Sequence, residues 1–314
     1  MSHLTPNGGP RAGMVGSASR SPAVMTEPPF PSLARPQLDR RERFAAEESV
    51  DIHCHCLPGL DDGPTTMDDA LAICRLLVAD GITTVIATPH QLGGYEATNG
   101  ADTVRAAVAG LSAALAVGGV PLRVLPGGDV RVDERLVERL AEGHVLTLAD
   151  GGHFILLELP HESLVDLTRP VAELMAAGIT PVLSHPERNG PLARRSDPVQ
   201  PWLAAGMVMQ VTAGSLLGQF GPIAERAGWQ MIEQGLVSII ATDAHDVDRR
   251  PPSLRAASEA ITGRLGHAVA RRLCIENPLK VLRGDRSGWT LRRPPQTPRQ
   301  PLPRPRRGLL GWFS

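Results

Sequence analysis

Short apolar runs of about four to five residues recur through the middle of this chain, and a stretch with helical spacing follows nearly every one. The runs are Val50–His53, Thr84–Ala87, Leu122–Leu125, Phe154–Glu158, Pro181–Ser184, Val208–Val211 and Ser238–Ala241. The helical stretches are Met67–Asp80, Thr103–Val117, Asp133–Ala141, Ser163–Ala177, Pro198–Ala205, Ile223–Gln234 and Ser253–Gly263. Gly81, Gly178, Gly206 and Gly235 close four of them, as expected where a helix hands over to a strand. Strands separated by helices must run parallel, because tight hairpins serve only antiparallel neighbours. Since the signal repeats around the whole domain, the pattern predicts an α/β fold with seven strands in a closed or distorted barrel.

The regions outside this alternation differ in composition. Residues 1–48 are rich in Pro, Gly, Ser and Arg, and residues 285–314 are rich in Pro and Arg. Both read as disordered tails, the second ending in the apolar tip Gly308–Phe313. The folded domain is expected at 49–284. Aromatic residues make up only 3% of the chain, so the core must be aliphatic. A net charge of −1 gives no basic field for nucleic acid, and the barrel region has no basic track with interleaved aromatics. The four cysteines form no spaced disulfide framework and read as thiols of a reducing compartment, which predicts a cytoplasmic protein. No apolar run approaches the ~18 residues of a membrane span, and no signal-peptide stretch opens the chain.

Five of the ten histidines lie in four motifs, each at the end of a predicted strand. These are His53-Cys54-His55, Thr88-Pro89-His90, Ser184-His185-Pro186 and Asp243-Ala244-His245. Side chains alternate across a strand, so His53 and His55 should face one side, with Cys54 and Cys56 on the other. Asp61-Asp62 follow in a Pro- and Gly-containing loop, Glu158 ends an apolar run, and Asp129 lies just past Leu125-Pro126-Gly127-Gly128. A carboxylate at the end of a buried strand is costly unless it is paired or binds metal. So many nitrogen and oxygen donors at one rim predict a multinuclear metal site with hydrolytic chemistry, compatible with Zn, Mn or Fe. Arg188 follows His185 closely, and Arg249 and Arg250 follow His245; a guanidinium fork beside metal suits phosphate. No Cys-x5-Arg, Gly-x4-Gly-Lys-Ser/Thr or Gly-x-Ser-x-Gly motif is present.

Over residues 49–284 the chain resembles the polymerase-and-histidinol-phosphatase (PHP) superfamily. Within it, the chain is most similar to the capsule-locus tyrosine-protein phosphatases of the CpsB/CapC/YwqE type. The resemblance rests on Asp51–His55 with Asp61–Pro64, Ala87–His90, Leu156–Pro160, Pro181–Asn189, Gln210–Gly218 and Ala241–His245 with Arg250–Pro252. It implies a distorted seven-stranded (β/α)7 PHP barrel holding three divalent ions, with manganese favoured. His53, His55 and Asp243 would bind one ion, and Asp129 would bridge to a second completed by Glu158 and His185. Asp62, His90 and His245 would hold the third, and Arg188 and Arg250 would grip phosphate. Asp129 stands where the group usually has glutamate, and Gln91–Glu96 lacks the basic character common in that loop.

The resemblance also implies phosphomonoester hydrolysis by a metal-bridging hydroxide. The substrate would be the phosphotyrosine-bearing tail of a bacterial tyrosine kinase that regulates capsular or exopolysaccharide synthesis; homo-oligomerisation is left open. Two other readings stand beside it. One is a small-molecule phosphatase such as a histidinol-phosphate phosphatase. The other is a catalytically weak metal-binding scaffold.

Overall fold

The computed structural model describes residues 48–289. Its strand segments are β1 Val50–Cys54, β2 Thr84–Ala87, β3 His90–Gln91, β4 Arg123–Pro126, β5 Asp129–Arg131, β6 Phe154–Glu158, β7 Thr180–Leu183, β8 Val208–Thr212 and β9 Ile239–Ala241. They pair in the orders β1-β2-β4 and β3-β5-β6-β7-β8-β9. Every pairing is parallel. The first and last strands also meet just past their ends. Asp243 N donates to His53 O at 2.8 Å, and His55 N donates to Ala244 O at 2.9 Å.

Each of the seven expected runs overlaps one of these segments, and two short segments, β3 and β5, lie outside the expected runs, set off by breaks with local causes. Thr88-Pro89 separates β2 from β3, and proline has no N–H for the ladder. Gly127-Gly128 separates β4 from β5. A Cβ on Gly127 would lie 2.7 Å from Ile86 Cγ2, and one on Gly128 would lie 2.2 Å from Gln91 Oε1. Only glycine lets the two chains pass this closely. Beyond both breaks the register brings His90 opposite Asp129, two of the expected metal donors.

Strands β1, β2, β6, β7, β8 and β9 are buried throughout, as a parallel sheet covered on both faces requires. Along β6, Ile155 and Leu157 join the large apolar cluster shared with the helices. Phe154 and Leu156 join a second cluster with Val182, Val208 and Ile239. Glu158 continues the face of Phe154 and Leu156, so the polar donors lie above an apolar plug. Cys54, Cys56 and Cys74 sit in the first cluster, on the side away from the histidines as the alternation predicts. All four cysteines are free and buried.

The helix Met67–Ala79 shows how local sequence sets these elements. Thr66 and Asp69 form a reciprocal capping box at its start, and Ala70, Ile73, Cys74 and Leu77 face the core. The stretch expected from Ser163 becomes helical only at Thr168, because the Asp166 carboxylate takes the Thr168 N–H at 3.0 Å and the Trp202 indole N–H at 3.1 Å. Short helices at Gly190–Arg194, Ala213–Leu216, His267–Arg271 and Asn277–Leu282 were not anticipated. The last packs Val281 into the second cluster, and Asn277 Nδ2 donates to Ser238 O at 2.7 Å.

Of the predicted C-terminal tail, residues 285–289 are described and lie against the domain. Arg286 Nε donates to Thr180 Oγ1 at 3.1 Å, and the Trp289 ring stands 5.5 Å from that of Phe154. The predicted N-terminal tail up to residue 47, the rest of the C-terminal tail and its apolar tip lie outside the described residues. Among the described residues, no helix is long and apolar enough to cross a membrane.

Candidate metal centre

All nine expected donors come together at the ends of the strands. His55, Asp62, His90 and His245 form one group whose donor atoms lie within 4.8 Å of one another. His53, His55 and Asp243 form another, and His53, Asp129 and His185 a third. His90, Asp129 and Glu158 also meet, as do Glu158, His161 and His185. His185 and Asp243 follow β7 and β9 in left-handed backbone conformations, φ 30° and 52°. Such strain in non-glycine residues is held where the surrounding structure over-determines it, typically at functional sites.

Hydrogen bonds set the proton positions of three imidazoles. His53 Nδ1 lies 3.0 Å from Gln210 Oε1, and His55 Nδ1 lies 2.6 Å from Asp61 Oδ2. A carboxylate and an amide oxygen only accept, so each Nδ1 carries the proton and each Nε2 keeps its lone pair. These two Nε2 atoms face each other at 3.3 Å, with Asp243 Oδ1 at 3.3 Å from the first and 3.6 Å from the second. His245 repeats the arrangement: Nδ1 donates to Asp243 O at 2.9 Å, and Nε2 faces Asp62 Oδ1 at 3.2 Å. Lone pairs aimed at one another and at carboxylate oxygens repel unless a cation lies among them.

Electrostatics agree. Burial holds His53, His55 and His185 below the ordinary imidazole range, helped at His55 by His245 and His90 and at His185 by Arg188. They stay neutral, which is the ligating form. Neither Asp129 oxygen has a hydrogen-bond partner, although both are buried. Burial, and then the charges of Glu158 and Asp243, push its carboxyl well above the usual range. A buried carboxylate without donors is costly, and a divalent ion removes that cost. At Asp243 burial acts in the same upward direction, but His53, Arg188 and Arg250 overcome it and hold the group well below the usual range. The donor set thus fits divalent cations bound through nitrogen and oxygen, with no thiolate.

A family model described as capsular polysaccharide synthesis, CpsB/CapC, matches residues 49–283. The chain belongs to this family. Among curated members it is 33% identical over 265 residues to the tyrosine-protein phosphatase YwqE of Bacillus subtilis (strain 168), covering 84% of this chain and all of that protein. It is 24% identical over 238 residues to the tyrosine-protein phosphatase CpsB of Streptococcus pneumoniae, covering 74% of this chain and 98% of that one. A crystal structure from work on these two proteins, described as unique metal-dependent tyrosine phosphatases, superposes with a TM-score of 0.72. That match has 33% identity and covers 75% of this chain and 94% of the other.

In this member of the CpsB/CapC family, both expected arginines converge on Asp243. Arg188 Nη1 donates to Asp243 Oδ2 in a very short contact, and Arg250 Nη2 donates to the same oxygen at 2.7 Å. The Phe220 ring lies beneath both guanidinium groups, 4.4 Å from Arg188 Cζ and 5.5 Å from Arg250 Cζ. Arg249, the other candidate, pairs at 3.6 Å with Asp246 and is largely exposed.

Several supporting residues escaped the sequence reading. Gln210 orients His53; Asp61, which the sequence reading named beside Asp62 among the donors, instead orients His55 and accepts the His90 backbone N–H at 3.0 Å. Asp51, raised to about 7 by burial despite its bonds from Thr242, accepts the Thr242 N–H at 3.0 Å and so positions the turn carrying Asp243. Glu187, also raised to about 7 by burial, accepts from Thr212 N at 3.1 Å and Ser215 Oγ at 2.7 Å, holding the turn of Arg188. Arg131 Nη1 donates to Glu158 Oε2 at 3.0 Å. His161, a histidine outside the four sequence motifs, lies beside Glu158 and His185. Asp51, Glu187 and Gln210 all fall inside the segments that carried the family resemblance, which was the one available signal for them.

Proposed function

We propose that this chain is a metal-dependent protein-tyrosine phosphatase. Its substrate would be the phosphotyrosine-bearing tail of a tyrosine kinase that regulates capsular or exopolysaccharide synthesis. The observation that carries the metal-dependent part is the pair of His53 and His55 Nε2 atoms, both unprotonated and facing each other at 3.3 Å. The family description and the names of the relatives support the substrate class.

Three divalent ions suit the donor groups, with manganese favoured. His53, His55 and Asp243 would hold one and Asp62, His90 and His245 the third; the second would lie among Asp129, Glu158 and His185, where His185 Nε2 is 3.9 Å from Asp129 Oδ2 and 3.8 Å from Glu158 Oε1. Such ions, when bound, supply Lewis acidity toward phosphoryl oxygen and a nucleophilic hydroxide near neutral pH.

The chain's own residues do the rest. Arg188 and Arg250 exchange part of their hold on Asp243 for the phosphate oxygens, and Phe220 keeps both guanidinium planes in place. Charge that develops on those oxygens in the transition state meets two preorganised cations. Gln210 and Asp61 keep Nε2 of His53 and His55 turned inward throughout. The nine strand segments read most simply as seven staves of a distorted barrel, β2–β3 and β4–β5 each being one broken stave, in a domain spanning 49–284 with tails on either side.

The test is to measure metal content by mass spectrometry on protein assayed at once with a phosphotyrosyl peptide and with histidinol phosphate. Wild type should bind manganese and prefer the peptide. His53→Ala and Asp243→Ala should lose both metal and activity while keeping their circular dichroism. Activity retained in both variants would refute the reading, and preference for histidinol phosphate would move it to a small-molecule phosphatase.

A further inference from the structure

We infer that His161 is a tenth metal donor of this chain, joining Glu158 and His185 on a single divalent ion. This rests on the reading of the cavity as a metal site and adds a residue outside the nine expected donors.

Three observations lead to it. Donor atoms of Glu158, His161 and His185 lie within 4.8 Å of one another. Donors each about 2.0–2.2 Å from one ion can be at most roughly 4.4 Å apart, so a small shift closes the group. Next, the hydrogen bonding of His161 leaves its lone pair on Nε2. Arg188 Nη2 stands 3.4 Å from His161 Nε2, and a guanidinium can only donate, so Nε2 accepts and the proton is on Nδ1. Finally, the backbone places the ring. Gly190 N donates to His161 O at 2.7 Å, and Asn189 Nδ2 donates to Pro160 O at 2.7 Å and to Ser163 O at 2.9 Å. This loop is therefore fastened to the turn that carries His185 and Arg188, and the imidazole stacks on His185 with centroids 5.7 Å apart.

The arrangement couples metal binding to Arg188. Nε2 of His161 holds Arg188 only while its lone pair is not given to an ion. Coordination by His161 would end that contact and leave Nη2 of Arg188 free for a phosphate oxygen. This fourth donor would also tighten a site whose other ligands are Glu158, His185 and the shared Asp129.

The experiment is a calorimetric titration of metal-stripped full-length chain with manganese(II), comparing wild type, His161→Ala and His161→Gln, with a parallel titration of the loaded proteins with inorganic phosphate. The expected result is three classes of site in wild type, one of them weakened about 10–100-fold in both variants and two unchanged. Superimposable manganese isotherms overturn the inference. So does a loss confined to phosphate affinity, which would make His161 an anion contact, and so does an equal weakening of all three classes, which would make it a scaffold residue. If wild type itself binds no manganese, the reading of the whole cavity fails first, and that result is distinct from the others.

Discussion

Gln210 and His53 stand 157 residues apart in sequence, yet Oε1 of the first accepts the Nδ1 proton of the second at 3.0 Å. This contact decides which ring nitrogen of His53 faces the cavity. Without it the imidazole is free to take the other tautomer and present a proton where a lone pair is needed. Gln210→Ala should weaken manganese binding about 10–100-fold and leave the fold intact. Manganese titration beside far-ultraviolet circular dichroism would check this; unchanged affinity would remove Gln210 from the orienting role.

Gly63 supports the neighbouring group. A Cβ there would lie 2.5 Å from the carbonyl oxygen of His55, a backbone atom that cannot swing aside. The Gly63 N–H also donates to Asp61 Oδ1 at 3.1 Å, tying the turn to the residue that orients His55. Gly63→Ala should cost about 1–3 kcal/mol of stability and displace the donors around Asp62, His90 and His245. Denaturant unfolding and metal counting would read the two effects, and a variant with wild-type values in both would contradict the account.

Phe220 makes cation–π contacts with both Arg188 and Arg250, the two arginines proposed to hold phosphate. Phe220→Leu keeps apolar volume but removes the π face. A cation–π contact contributes about 0.5–2 kcal/mol, so kcat/KM on a phosphotyrosyl peptide should fall between roughly 2-fold and 30-fold with metal content unchanged. Steady-state kinetics with metal analysis on the same samples would separate this from damage to the ions' ligands.

Glu187 gives a pH prediction. Burial raises its carboxyl to about 7, above the value expected in the unfolded chain. The folded state therefore holds a proton that the unfolded state has released between about pH 4.5 and 7, and stability from this group is lost as pH rises through that window. Glu187→Gln removes the titration but can still accept from Thr212 and Ser215. Relative to wild type, the variant should gain about 1–3 kcal/mol on going from pH 5 to pH 8. The buried histidines, whose shifts run in the opposite sense, are present in both proteins and cancel in this comparison. Calorimetric melting of metal-stripped protein at the two pH values is the measurement, and a pH-independent difference would count against a protonated Glu187.

The alternation of buried apolar runs with helical stretches was enough to infer a parallel sheet from the amino-acid order alone. It was also enough to infer the shared rim, because parallel strands all present the same end to one side, and His53, His90, Glu158, His185 and Asp243 each stand at or next to such an end. What the order could not decide was anything made by contact across the sheet. The breaks at Pro89 and Gly127-Gly128, the inward-facing Nε2 of His53 and His55, the convergence of Arg188 and Arg250 on Asp243, and the place of His161 beside His185 exist only once distant segments pack together. Periodicity along a chain reports which face a residue joins. Which atom it meets there depends on register, ring rotation and hydrogen-bond partners contributed by other strands, and those are properties of the folded arrangement.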